Sequence, residues 1–173
     1  LSGLTALGYE VIWTRLFSFI IGSSTYAMST VLAAYMAGLA LGSFVGGVIA
    51  DKKEPLFYLA LVEIGIALLA LLTIPFFSFL PTAYAFIYFN FKLSYSLFFL
   101  AQFALVFLYL FLPTSLMGAA FPSALKARAN FLKTPGKESG YVYAANTLGA
   151  IAGPLLSGYL LIPKFGTYQA TGF

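Results

Sequence analysis

The sequence predicts an all-α integral membrane protein, a polytopic bundle of five or six transmembrane helices. Only 8% of its 173 residues are charged, whereas 61% are hydrophobic and 18% are aromatic, and the mean hydropathy is +0.96. Soluble domains usually carry about 25% charged residues. A soluble chain of this length would have too little polar surface to cover its core, so we expect the lipid bilayer to be its main partner.

Five stretches of the sequence reach the length of about 20 mostly apolar residues that a transmembrane helix needs. They cover residues 1–22, 26–50, 56–80, 93–125 and 140–163, and residues 165–173 could begin a sixth span. We expect all of them to belong to a single transmembrane domain. Pro55 suits the first position of the third span, and the aromatic-rich residues 81–92 suit an interfacial belt or a short surface helix.

The fourth stretch is longer than one crossing of a hydrocarbon core of about 30 Å requires. We expect Pro113 to kink it and the part after Pro122 to emerge into a polar loop at residues 126–138. Pro135 and Gly136 predict a turn in that loop. An alternative interpretation divides the stretch into two short re-entrant pieces.

Lysine and arginine are unevenly distributed between the predicted loops, which predicts the orientation. Only Lys92 and Lys164 lie on the side of the first and third loops. The loops after the second and fourth spans hold Lys52, Lys53, Lys126, Arg128, Lys133 and Lys137. By the positive-inside rule these two loops and the N-terminus are cytoplasmic, and the protein is a multi-pass protein of the cell membrane.

Small residues recur every four positions in the second span, at Ala34, Gly38, Gly42, Gly46 and Ala50. Lipid provides no hydrophobic drive between helices, so bare backbone that allows close approach supplies the attraction. The stripe indicates either packing within the chain or a sliding surface against a second helical bundle.

The fifth span repeats the pattern at Gly149 and Gly153, which Pro154 and Gly158 follow. Proline removes a backbone donor and is expected to bend the span beside its glycines. The bend is either a hinge or a way of fitting crowded helices.

Polar side chains within the apolar spans are the candidate functional residues, because a charge at bilayer depth costs roughly 2.5–3.5 kcal/mol. They are Glu10, Arg15, Glu63, Gln102 and Asn146. Glu10 and Arg15 point about 140° apart on one helix, so each needs a partner elsewhere. Glu63 is the candidate ion-pair partner of Arg15, and an unpaired Glu10 would be a cation or proton site.

Tyr9 and Trp13 are helical neighbours that flank Glu10, so an aromatic-lined carboxylate pocket or ordinary packing between helices is expected there. Cysteine and histidine are absent, which excludes thiolate chemistry and most zinc and haem sites; we expect no metal or other cofactor. No GxGxxG, P-loop or GxSxG motif occurs, so the chain is not expected to be an enzyme. Nor is nucleic-acid binding expected, because the basic residues flank apolar spans.

Two short motifs resemble those of the major facilitator superfamily. In GGVIADKK the residues Gly47, Asp51 and Lys52 match the first half of that superfamily's loop signature between helices two and three, although its second half is missing. GAIAGPLLSG resembles a glycine–proline helix motif of the same transporters.

Three longer blocks, GYEVIWTRLFSFIIGSSTYAMSTVLAAYMAGLALGSFVGG, LPTSLMGAAFPSALKA and GYVYAANTLGAIAGPLLSGYLLIP, resemble the membrane part of spermidine-synthase-like proteins. That family joins a facilitator-like bundle to a soluble aminopropyltransferase-like domain, which this sequence does not include and which that activity would need.

The resemblance implies half of a facilitator bundle, a connection with polyamines and a second bundle, either another copy or a C-terminal half, docked on the second and fifth spans. Glu10, Arg15, Glu63, Tyr9, Trp13 and Asn146 would then line a central cavity for a polyamine or another organic cation. The alternative function is a membrane anchor or accessory subunit that transports nothing.

Overall fold

The computed structural model describes residues 2–52, 54–91, 94–131, 135–167 and 169–172, and within these ranges it is helical and contains no strand. The predicted all-α fold is confirmed. The helices are α1 (Ser2–Ile21), α2 (Thr25–Ala50), α3 (Pro55–Phe77), α4 (Leu80–Phe91), α5 (Tyr95–Phe131), α6 (Pro135–Leu156) and α7 (Ile162–Phe165). A π-helical turn, Ser157–Leu161, joins α6 to α7, and a 3-10 helix covers Gln169–Gly172.

Five of these helical segments are long and apolar enough to cross a membrane, as predicted, and they make the chain a multi-pass membrane protein. They are Ser2–Ile21, Thr25–Ala50, Pro55–Phe77, Tyr95–Arg128 and Ser139–Phe165. The 12-residue α4 is too short to cross, and it forms the short helix predicted for the aromatic segment. Residues 168 and 173 of the possible sixth span lie outside the described residues, and the described part of that tail holds the end of α7 and the 3-10 helix.

The third span begins as predicted, with Pro55 in the first turn of α3. Glu54 caps this helix, because its Oε2 accepts the backbone N–H of Phe57 at 2.9 Å. At the opposite end of the bundle α1 closes into α2 through Gly22, whose φ of 86° suits glycine.

The fourth span is one uninterrupted helix, so the re-entrant alternative is wrong. α5 continues through Pro113 and Pro122 to Phe131, and α6 starts at Pro135. The expected polar loop at 126–138 is therefore mostly helical, because lysine, arginine and alanine are good helix formers and proline suits a first turn. Lys53, Lys92 and Lys133 lie outside the described residues, and the side chain of Lys137 is likewise not described.

The glycine stripe of α2 faces α5 of the same chain. A Cβ atom added at Gly38 would overlap Thr114, one at Gly42 would overlap the Ser115 backbone, and one at Gly46 would overlap Ala119. The two helices thus pack backbone against backbone, and α2 makes its most extensive contact with α5. Packing within the chain, one of the two interpretations of the stripe, is therefore what the structure shows.

The small residues of α6 face α1 in the same manner. A Cβ at Gly153 would overlap the Leu4 carbonyl, and one at Gly8 would meet the Ser157 hydroxyl at 2.9 Å. Both stripes on which the expected second bundle was based are thus covered within the chain. The second bundle stays a prediction, which the two stripes no longer support.

The core lies between α1, α2 and α5, where Trp13, Phe17, Tyr35, Val106 and Leu110 are almost fully buried. The Tyr35 hydroxyl donates a hydrogen bond of 2.5 Å across the helices to the backbone carbonyl of Ala6. A buried hydroxyl needs such a partner, since lipid offers none.

A hydrogen bond between helices compensates for the proline in the second half of α5. Pro122 has no N–H to donate to the carbonyl of Gly118, four residues earlier in the helix. The Ser43 hydroxyl of α2 donates to that carbonyl at 3.0 Å. The close approach of α2 thus supplies the donor that the proline removes.

A π-helical turn follows Pro154 in the fifth span. Pro154 lies inside α6, and the wide π turn covers residues 157–161. This turn includes Tyr159, whose carbonyl a regular α-helix would push against the ring of Pro163. The π turn therefore lies where the ring of Pro163 disfavours a regular α-helix.

The first prediction uses two glycines of α2 that differ in their surroundings. Replacing Gly42 with alanine should destabilise the bundle by about 1–3 kcal/mol, because the backbones of α2 and α5 must separate. The matched control is Gly47→Ala, whose added Cβ would meet its nearest neighbour, Pro122, at an ordinary 3.8 Å. Thermal unfolding in detergent should show a lower midpoint for the first variant alone; equal midpoints would contradict the packing described here.

The second prediction concerns Ser43 and Pro122. Ser43→Ala should lower the free energy of unfolding by about 0.6 kcal/mol, with about 1.7 kcal/mol as the upper limit, because the Gly118 carbonyl loses its donor. In a Pro122→Ala background the helix supplies its own N–H, and the same change should cost close to nothing. A double-mutant cycle of unfolding free energies measures the difference, and an equal cost in both backgrounds would refute the compensation.

Candidate functional site

Two clefts open toward opposite ends of the bundle. The first, here called the Glu10 cleft, has a volume of about 980 Å³ and lies between α1, the start of α2 and the turn that follows α6. Its lining consists of Glu10, Val11, Thr14, Arg15, Ser18, Ser23, Thr25, Met28, Ser29, Leu32, Gly158, Ile162 and Pro163. It opens at the end where α1 joins α2.

The Glu10 cleft combines charged groups with many hydroxyl groups. Glu10 and Arg15 both line it, although they point about 140° apart on α1. Glu10 is half-buried and Arg15 is exposed, with its guanidinium 5.7 Å from the centre of the Phe19 ring. Neither side chain takes part in the ion pair of Lys126 with Asp51.

The aromatic residues beside Glu10 do not line the cleft, so the predicted aromatic carboxylate pocket is wrong. Trp13 is fully buried, and its ring centre lies 5.1 Å from that of Tyr9 and 6.1 Å from that of Tyr35. Residues 9 and 13 share the α1 face that packs into the core, whereas residue 10 is rotated by about 100° toward the cleft. Ordinary packing, the other interpretation of these rings, is what the structure shows.

The second cleft, here called the Glu63 cleft, has a volume of about 590 Å³. It is bounded by the first turn of α1, by α3, by the second half of α5 and by the start of α6. Its lining consists of Ser2, Leu59, Glu63, Phe121, Ala124, Arg128, Tyr141, Val142, Ala145 and Asn146. Two predicted residues, Glu63 and Asn146, therefore lie here together with Arg128 and Tyr141, which the sequence did not indicate as site residues.

The expected ion pair between Arg15 and Glu63 is not formed, because the two side chains line different clefts. The six predicted residues are divided: Glu10 and Arg15 line one cleft, Glu63 and Asn146 line the other, and Tyr9 and Trp13 line neither. A single central cavity is thus not what the structure shows. Gln102 is buried in α5 and also lines neither cleft.

The loop signature residues lie at the same end as the Glu63 cleft. Asp51 ends α2, and its Oδ1 accepts from the Lys126 ammonium at 2.6 Å, while Gly47 is near Pro122. This contact places the two predicted basic loops on one side of the membrane. That this side is the cytoplasm stays a prediction.

Comparison with known proteins finds no matching family model, no matching curated protein and no matching solved structure. The resemblance to spermidine-synthase-like proteins therefore stays a prediction.

The third prediction tests both clefts by chemical access, for which a chain without native cysteine is convenient. Thr14→Cys and Ser29→Cys should react with a membrane-impermeant maleimide added from the Glu10 side. Ala145→Cys should react only from the Glu63 side, and the fully buried Val106→Cys should react from neither. Labelling of all four from one side would contradict the two-cleft arrangement.

Proposed function

We propose that this chain is a transporter-type bundle of the cell membrane, with a cytoplasmic N-terminus, whose Glu10 cleft takes up a polyamine or another small organic cation. The observation that supports it is a carboxylate at membrane depth that faces an open cleft. Glu10 lies eight residues after Ser2, or about 12 Å along the helix. A charge there needs a sheltering partner, and a cation in the cleft is the complementary one.

The lining of the Glu10 cleft suits an amine. Its hydroxyls, among them Thr14, Ser18 and Ser29, can accept hydrogen bonds from the N–H groups of the amine that Glu10 does not bind. Arg15 lies about 7.5 Å further along α1 and over the Phe19 ring, so its charge is farther from a cation held at Glu10 than the carboxylate is. The volume falls in the range of small-molecule sites.

The resemblance to spermidine-synthase-like proteins adds polyamines as the first compounds to test. A second bundle would complete such a transporter, either as another copy or as a C-terminal half. The exposed apolar faces of α2 and α6, which include Phe44 and Ile151, offer it surface. These faces suit lipid equally well.

The second candidate is a membrane anchor or an accessory subunit of a larger complex. The backbone-to-backbone packing of α2 with α5 favours it, since such contacts make a rigid bundle. An anchor of this kind gives no role to the open, hydroxyl-lined cleft around Glu10. We therefore place it second.

The fourth prediction tests the proposed function. Glu10→Gln keeps the shape of the side chain and removes its charge, so binding of radiolabelled spermidine to the purified protein should fall about tenfold or more. Glu54→Gln is the matched control, because Glu54 is exposed and glutamine retains the oxygen that caps α3. Spermidine binding that is equal in both variants would remove Glu10 as the site and leave the anchor function.

A further inference from the structure

We propose that the backbone carbonyl of Gly158 is a second acceptor for the cation bound at Glu10, so that the Glu10 cleft selects protonated amines over quaternary ammonium compounds. A protonated amine has N–H donors, whereas a quaternary ammonium group has none. The inference rests on the proposed function and names the class of cation that this site would take.

The first argument is that the π-helical turn leaves one carbonyl without a donor in its own helix. In a regular α-helix the Gly158 carbonyl would accept the N–H of Ile162, four residues later. Here the N–H of Ile162 donates to the Ser157 carbonyl instead. The donor that a continued π-helix would use is residue 163, a proline without an N–H. The Gly158 carbonyl therefore has no backbone donor in the turn, and it accepts no hydrogen bond from a side chain of the described residues.

The second argument is the direction of this carbonyl. A helix carbonyl points toward the residues four and five positions later. Gly158 and both of these residues, Ile162 and Pro163, line the Glu10 cleft. The Gly158 oxygen therefore lies at the wall of the cleft, and Gly158 is only half-buried.

The third argument is the level of the turn relative to Glu10. A Cβ atom added at Gly158 would lie 3.9 Å from Cγ1 of Val11, and Val11 directly follows Glu10 in α1. The carbonyl and the carboxylate thus belong to facing helices at nearly the same level of the cleft. Both lie within membrane spans, where lipid offers no hydrogen-bond donor to an unpaired carbonyl.

A carboxylate and an unpaired carbonyl in one cleft determine which cation binds best. The charge of Glu10 attracts any small cation. The Gly158 carbonyl adds a hydrogen bond only when the cation carries an N–H group, and hydrogen bonds from charged donors are the stronger kind. A trimethylated nitrogen presents methyl groups to the carbonyl and leaves it unpaired.

The first test compares 1,4-diaminobutane with its fully N-methylated analogue, 1,4-bis(trimethylammonio)butane, which carries the same two charges on the same spacer. Isothermal titration of the purified chain in maltoside micelles should show that the diamine binds about tenfold more tightly. Equal affinities, or tighter binding of the analogue, would overturn the role of Gly158 and leave the proposed cation site intact. If neither compound binds, the proposed function and this inference fail together.

Pro163→Ala then tests whether Gly158 is the acceptor, because alanine restores the missing N–H. If the turn stays π-helical, the new N–H donates to the Gly158 carbonyl, and if the turn becomes α-helical, the N–H of Ile162 does. The carbonyl is occupied in both cases. The diamine should therefore lose its tenfold advantage while the affinity for the methylated analogue stays the same.

Pro154→Ala is the matched control, because it changes a proline of the same span that does not line the cleft. This variant should keep the tenfold preference for the diamine. An equal loss of preference in both variants would reflect a general effect of proline removal on the span and would overturn the assignment. A preference that Pro163→Ala retains would assign it to another acceptor and overturn it as well.

Discussion

The close approach of the α2 and α5 backbones is the contact on which the rest of the bundle depends. Gly38, Gly42 and Gly46 remove the side chains that would keep the two helices apart. In lipid this proximity is itself the source of attraction, because burial of apolar surface gains nothing there. It also brings Ser43 to the Gly118 carbonyl, so that α5 can contain Pro122 and still continue. The length of α5 in turn carries Lys126 to Asp51 and Arg128 to the Glu63 cleft.

A second close pair, α1 with α6, is built on the same principle. The most extensive contacts join α2 with α5, α1 with α6 and α3 with α5, whereas the contacts of α1 with α2 and α5, and of α6 with α5, are fewer. The five long helices thus form one group of two and one group of three, and both clefts lie along the seam between the groups. Glu63 shares its cleft with Ser2 at the start of α1, whereas Glu10 lies about 12 Å further along that helix and lines the cleft that opens toward the other end.

The sequence was sufficient for the spans, because their length and apolar composition are imposed by the bilayer. It also identified the glycines that allow close packing, but not what they face: the period of four gives the stripe on α2, whereas its contact with Ser115 depends on how α5 is placed. The polar stretch after Lys126 was misjudged, since its alanines and charged residues extend a helix as readily as they form a loop. Arg128 was missed as a site residue for the same reason. The pairing of Arg15 with Glu63 failed because Glu63 shares its cleft with the first turn of α1, whereas Arg15 lies about 20 Å further along that helix and lines the other cleft.

One backbone oxygen connects the seam to the Glu10 cleft. The Ala6 carbonyl accepts from Tyr35 of α2, and in an α-helix it is also the acceptor for the amide of residue 10. The same oxygen therefore belongs both to the backbone hydrogen bonds of α1 and to a contact between α1 and α2. Under the proposed function, a solute bound at Glu10 would lie next to this shared acceptor, and any effect of the solute on the contact of α1 with α2 would be reciprocal.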